Sequence, residues 1–171
     1  MVLNSQEVAS REIIEFLESD TEKVMLVTGT NDYKKHSLVL EMINEDKSLK
    51  RGLFRTHRLE SVSNFFGDAE LKVPHNAGKP AGQTRLIENT FFSFDSFDKS
   101  TWGKTPSELD FALIYPIEVY NKKKSDLKEA FIKNIVEEKN INKIFVVSNL
   151  DDRGDYEWLA GCVDRIFEFN R

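Results

Sequence analysis

Apolar positions along the chain recur with two periods, and their alternation predicts a helix–strand succession. Residues 5–19 place Val8, Ile13, Ile14 and Leu17 on one face with charges opposite, an amphipathic helix. Val24 to Val27 is a short unbroken apolar run that stops at Thr28-Gly29, as in a strand buried on both faces of a parallel sheet. A second helix fits 35–45, with Leu38, Val39, Met42 and Ile43 inward. A short strand follows over 52–56 and a short helix over 59–66. Residues 67–89 carry three Gly and two Pro without a steady period and read as a long surface loop. From 90 to 97 a Phe-rich stretch suggests a strand or hairpin. Phe111 to Tyr115 is another buried strand, closed by Pro116. Ser125 to Glu138 reads as a helix with Leu127, Phe131 and Ile135 inward. Ile144 to Val147 is a strand, 156–161 a short helix, and 163–169 a last, alternating strand.

Such an order with short connections predicts a single α/β domain over 1–171, a three-layer sandwich around a mostly parallel sheet of about five strands. The segment 67–105 would be a loop plus Phe-rich insertion. In this architecture ligands sit at the carboxyl ends of strands, which singles out loops 28–36, 56–60, 115–121 and 148–155.

Composition narrows the class. With 24 basic and 29 acidic residues the net charge is −5, which disfavours a general nucleic-acid coat or an anionic-membrane binder. One cysteine, Cys162, excludes an internal disulfide framework and multi-cysteine zinc sites. His36, His57 and His75 have no metal-ligand spacing, so no metal is expected. No apolar run reaches the roughly 18 residues that cross a bilayer, and the N-terminus has no secretory pattern. A cytoplasmic protein with no membrane partner is the expectation.

The loop after the first strand has the place and length of a phosphate-binding loop, G-x-x-x-x-G-K-[ST]. In that register Gly29 is the first Gly and Lys35 the Lys. Lys34 stands where the second Gly belongs, His36 where Ser or Thr belongs, and Ser37 follows one position late. Backbone N–H groups, a lysine and a hydroxyl on Mg²⁺ are what such a loop offers a phosphate. From these residues the chain resembles the P-loop NTPases, in particular the RecA/KaiC-like branch. GLFRTHRLESV resembles that family's second strand, LDFALIYPIEVY its Walker B strand, and INKIFVVSN followed by CVDRIFEFN its last two strands.

The resemblance implies a RecA-like sheet, and the departures imply lost chemistry. Where the Walker B strand ends in Asp, this chain has Tyr115. Asp110 lies at the strand's start and Glu118 three residues past its end, the two candidates for a displaced acidic group. Phosphoryl transfer depends on Mg²⁺ for positioning and charge neutralisation, so no catalytic residue is assigned and neither ATP nor Mg²⁺ is an expected cofactor. If nucleotide binding persists, Gly29, Lys34, Lys35, His36 and Ser37 would carry it.

Three further segments are candidates. Lys122, Lys123 and Lys124, with Lys79 and Arg85 from the 75–85 loop, could meet a polyanion such as single-stranded DNA, with steep salt dependence. Phe91, Phe92, Phe94, Phe97 and Trp102 are candidates for a protein interface, weighed against ordinary core packing. Asn149 matches the place of a polar sensor residue, and 151–155 reads as a turn with Asp155 as a cap. The leading expectation is a non-hydrolysing, regulatory or structural subunit whose partner is a protein, an active RecA-like ATPase or a second copy of itself. A divergent ATP-binding NTPase and a nucleic-acid accessory protein are the alternatives.

Overall fold

A computed structural model describes residues 5–31, 34–149 and 155–170. Helix α1 (Ser5–Glu18) precedes β1 (Val24–Thr28), then α2 (Lys35–Glu45), β2 (Arg51–Thr56) and α3 (Val62–Asp68). A hairpin of β3 (Thr84–Ile87) and β4 (Thr90–Ser96) comes next, followed by β5 (Glu108–Ile114) and α4 (Ser125–Lys133). β6 (Asn140–Val147) and β7 (Arg165–Glu168) complete the chain. One seven-stranded sheet results, in the order β3-β4-β2-β5-β6-β1-β7. Every pairing is parallel except β3 with β4.

The sheet has seven strands rather than about five, because β3 forms inside the segment read as loop. Nor is the Phe-rich stretch an insertion: β4 is an interior strand, paired with β2 over Arg51↔Phe91 to Thr56↔Ser96. Strand alternation sorts the apolar side chains into two cores. Met25, Val27, Phe54, Phe92, Phe94, Phe111, Leu113 and Phe145 pack with α1, α2 and α3. Leu26, Leu53, Ala112, Ile114, Ile144 and Val146 pack with Phe131 and Ile135 of the α4 region. β1 and β6 supply side chains to both cores, as their unbroken apolar runs require.

Two helical expectations shift. Ile14 and Leu127, read as inward, are exposed. The helix read over 125–138 is α-helical only to Lys133 and then makes a π turn over Asn134–Glu138. That turn brings the buried Asn134 amide to the sheet, where its Oδ1 accepts a 2.8 Å bond from Arg55 Nη2.

Arg55 anchors the only ion pair among the described residues in which both side chains are fully buried. Its Nε and Nη2 donate to Asp95 Oδ1 and Oδ2 at 2.7 and 3.0 Å. Thr105 Oγ1 donates to the same carboxylate, and the Trp102 ring lies 4.6 Å from the guanidinium. Fork geometry and extra donors offset the desolvation of the two charges. The pair is a cross-strand one, Arg55 on β2 directly beside Asp95 on β4.

Lysines tie loose ends to the sheet. Lys143 Nζ on β6 donates to the carbonyls of Phe16, Ser19 and Glu22 at 2.6–2.7 Å, closing the C-terminus of α1. This is where a helix leaves acceptors unfilled and where a cation is favoured. No helix among the described residues is long and apolar enough to cross a membrane.

Candidate functional site

The carboxyl ends of β1, β5 and β6 meet around the loop that follows β1. Gly29 has φ +113°, and a Cβ there would lie 2.4 Å from the Phe169 carbonyl oxygen. Close approach by the segment after β7 therefore demands glycine at this position. Phe169 N donates to Thr28 O at 2.7 Å, Asn31 N donates to Phe169 O at 2.9 Å, and Thr30 N donates to Asn170 Oδ1 at 3.0 Å. Two of the loop's N–H groups are thus spent on the chain's own C-terminal segment. Asp32 and Tyr33 lie outside the described residues.

Lys35 is buried in the first turn of α2. Its ammonium donates to Gly29 O at 2.6 Å and Asn149 O at 3.1 Å, bridging the ends of β1 and β6. Asn149 N in turn donates to both carboxylate oxygens of Glu118 at 3.0 Å. Glu118, Asn149 and Lys35 form one connected line across three strand ends, so two sequence candidates share the site. Asp110 does not join them. Its Oδ2 accepts from Lys50 N and Arg51 N, at the opposite end of the sheet. Lys34 is exposed at the cap of α2 in ordinary helical conformation, which requires no glycine. Ser37 Oγ donates to Lys34 O, within its own helix.

His36 and Tyr115 meet. In the register of the sequence resemblance these two residues fall at the phosphate-loop hydroxyl and the Walker B carboxylate, and their rings stack with centroids 4.3 Å apart at 30°. Both are buried, and Phe65 closes the cluster edge-on to Tyr115 at 4.8 Å. Neither imidazole nitrogen reaches a partner in hydrogen-bonding geometry. Burial therefore lowers the ring's pKa to about 4, although the Asp68 carboxylate at 3.8 Å and the Phe65 main chain favour the charged form. His36 is a neutral packing group buried in the first turn of α2. Mg²⁺ requires oxygen ligands at about 2.1 Å in near-octahedral array. Two rings in van der Waals contact, neither bearing a carboxylate, do not fit that ion.

Buried side-chain atoms without a partner gather at the same edge: Thr56 Oγ1, Ser148 Oγ and Asn149 Oδ1, besides the His36 nitrogens. Sequence reasoning named Asn149 but missed Thr56 and Ser148. Their signal was a hydroxyl residue directly ending an apolar run.

No protein-family model matches this chain, and no curated protein matches it by sequence.

The remaining candidates separate. Lys122, Lys123 and Lys124 are exposed after β5, close enough to His57 for Lys123, with Arg58, to add to the lowering that partial burial gives its pKa. Lys79 lies 3.7 Å from Glu60. Arg85 is turned onto its own loop, donating to Ala77 O and Gln83 Oε1 at 3.1 Å. Phe92, Phe94, Phe97 and Trp102 are buried and cannot meet a partner; Phe91 is 44% exposed. Asp151, Asp152, Arg153 and Gly154 lie outside the described residues. Asp155 Oδ1 accepts from Glu157 N, as a turn cap should.

Proposed function

We propose that this chain is a P-loop NTPase-like protein of RecA-like, three-layer design that does not hydrolyse nucleotide and acts through protein contacts, in the cytoplasm. One observation carries the reading: the stacked rings of His36 and Tyr115 fill the space that the two metal-holding groups would share. Lys35 supports it. Its ammonium is satisfied by main-chain carbonyls, and binding a phosphate would mean leaving them. Thr30 and Asn31 support it too, since their N–H groups are engaged by Phe169 and Asn170. A nucleotide triphosphate would have to displace all three sets of bonds without the ion that normally offsets its charge. What remains is a rigid sheet with exposed edges and loops, a frame suited to assembly.

Phosphate release from ATP or GTP with Mg²⁺ tests this. Wild type and Lys35→Met should both remain at the uncatalysed background. Release that depends on Lys35 would overturn the proposal. The link from Glu118 through the Asn149 main chain to Lys35 favours a second reading, a divergent ATP-binding NTPase, and Lys35-dependent phosphate release in the same assay would reveal it.

A further inference from the structure

The face of the sheet that bears Leu53, Ala112 and Ile144 is covered over β5, β6 and β1, and at the β3–β4 hairpin it is open at the Leu86–Phe91 end. Leu86 is 59% exposed and Phe91 44% exposed. They are direct cross-strand partners and so project from the same face. Beside them lies a groove of about 230 Å³ lined by Arg51, Thr84, Phe91, Pro106, Glu108 and Leu109. Arg51 and Glu108 are both exposed, and neither forms an ion pair among the described residues.

We infer that this face binds a second copy of the chain, face to face about a two-fold axis. An apolar knob, an adjacent groove of mixed polar and apolar lining, and an exposed cation and anion without an ion pair among the described residues make the patch its own complement. A two-fold axis sets Phe91 of one protomer over the groove of the other and Arg51 opposite the other's Glu108, twice. A partner of one charge sign would satisfy only one of these two groups. The opposite sheet edge also exposes an apolar side chain, Ile166, but its cation Arg165 is held by Glu12, Glu15 and Glu22 and so is already paired within the chain. The inference rests on the protein-contact reading above and gives it a partner, and it does not depend on whether nucleotide binds.

Sedimentation equilibrium of the full chain from micromolar to near-millimolar concentration is the test. A reversible dimer is expected, and Leu86→Glu and Phe91→Glu should each raise its dissociation constant by about tenfold or more. Both residues are exposed, so melting temperature and circular dichroism should hold, separating lost association from lost folding. Arg51→Glu and Glu108→Arg should each weaken the dimer, and the two together should restore it. A monomer throughout the range would overturn the inference, as would a dimer indifferent to Leu86→Glu and Phe91→Glu or a charge reversal that restores nothing. Phosphate release measured on the same samples keeps the two readings apart: Lys35-dependent turnover refutes the non-hydrolysing reading whatever the dimer does, and a monomer without turnover refutes only the dimer.

Discussion

Acid should destabilise this protein through His36 more than through any other single histidine. The ring is fully buried, stacked on Tyr115 and without a hydrogen-bonding partner. Its pKa falls from 6.5 to about 4, with burial as the main cause. The charged groups acting on it are Asp68, which favours protonation, and Lys35, which opposes it. Because the folded state resists the proton, the unfolded chain binds it first as pH drops below 6.5. Stability linked to His36 is therefore complete above pH 6.5 and is lost progressively down to pH 4. Linkage gives a loss of about 2 kcal/mol by pH 5 and about 3 kcal/mol by pH 4. That is a large share of the 5–15 kcal/mol typical of a domain. Urea denaturation at pH 7.5, 5 and 4 measures it. His36→Phe keeps an aromatic ring against Tyr115 and removes the titration, while the carboxylates titrate alike in both proteins. The wild-type curve should fall below that of His36→Phe by these amounts as pH drops. Parallel pH profiles would refute the buried, neutral imidazole and with it the filled site.

Four substitutions probe the frame around the site. Arg55→Met and Asp95→Asn each leave a buried group unpaired and should cost about 3–5 kcal/mol in chemical denaturation; a double-mutant cycle should show strong coupling between them. Gly29→Ala forces a Cβ onto the Phe169 carbonyl, so a loss of about 2–3 kcal/mol is expected, with faster amide exchange at Asn31 and Phe169. Lys143→Met removes three charge-assisted bonds to the end of α1. A loss of about 1.5–3 kcal/mol should follow, with exchange protection falling selectively in α1.

The elements that sequence reveals here are those whose signal is local. The apolar runs of β1, β5 and β6 need no partner to be read, and the 3.6-residue period of α2 is self-contained. What escapes depends on neighbours distant in sequence. β3 is four residues of weak alternation that become a strand only against β4. Ile14 and Leu127 obey the helical period, yet both stand exposed among the described residues. Arg55 and Asp95 read as polar interruptions of two apolar strands until the register sets them side by side. Their opposite charges at equivalent places in Phe54-Arg55-Thr56 and Phe94-Asp95-Ser96 were the available clue. The site itself was half legible. Spacing placed Lys35 and Glu118 in loops at strand ends, but a histidine after a lysine gives no hint that its ring will turn inward onto a tyrosine 79 positions away.

Whether nucleotide has any place at the end of β1 is measured most directly by calorimetric titration of ATP, with and without Mg²⁺, into wild type and Lys35→Met. A site filled by His36 and Tyr115 predicts no heat beyond dilution at millimolar nucleotide, the same for both proteins and indifferent to Mg²⁺. Micromolar binding that requires Mg²⁺ and vanishes in Lys35→Met would contradict it.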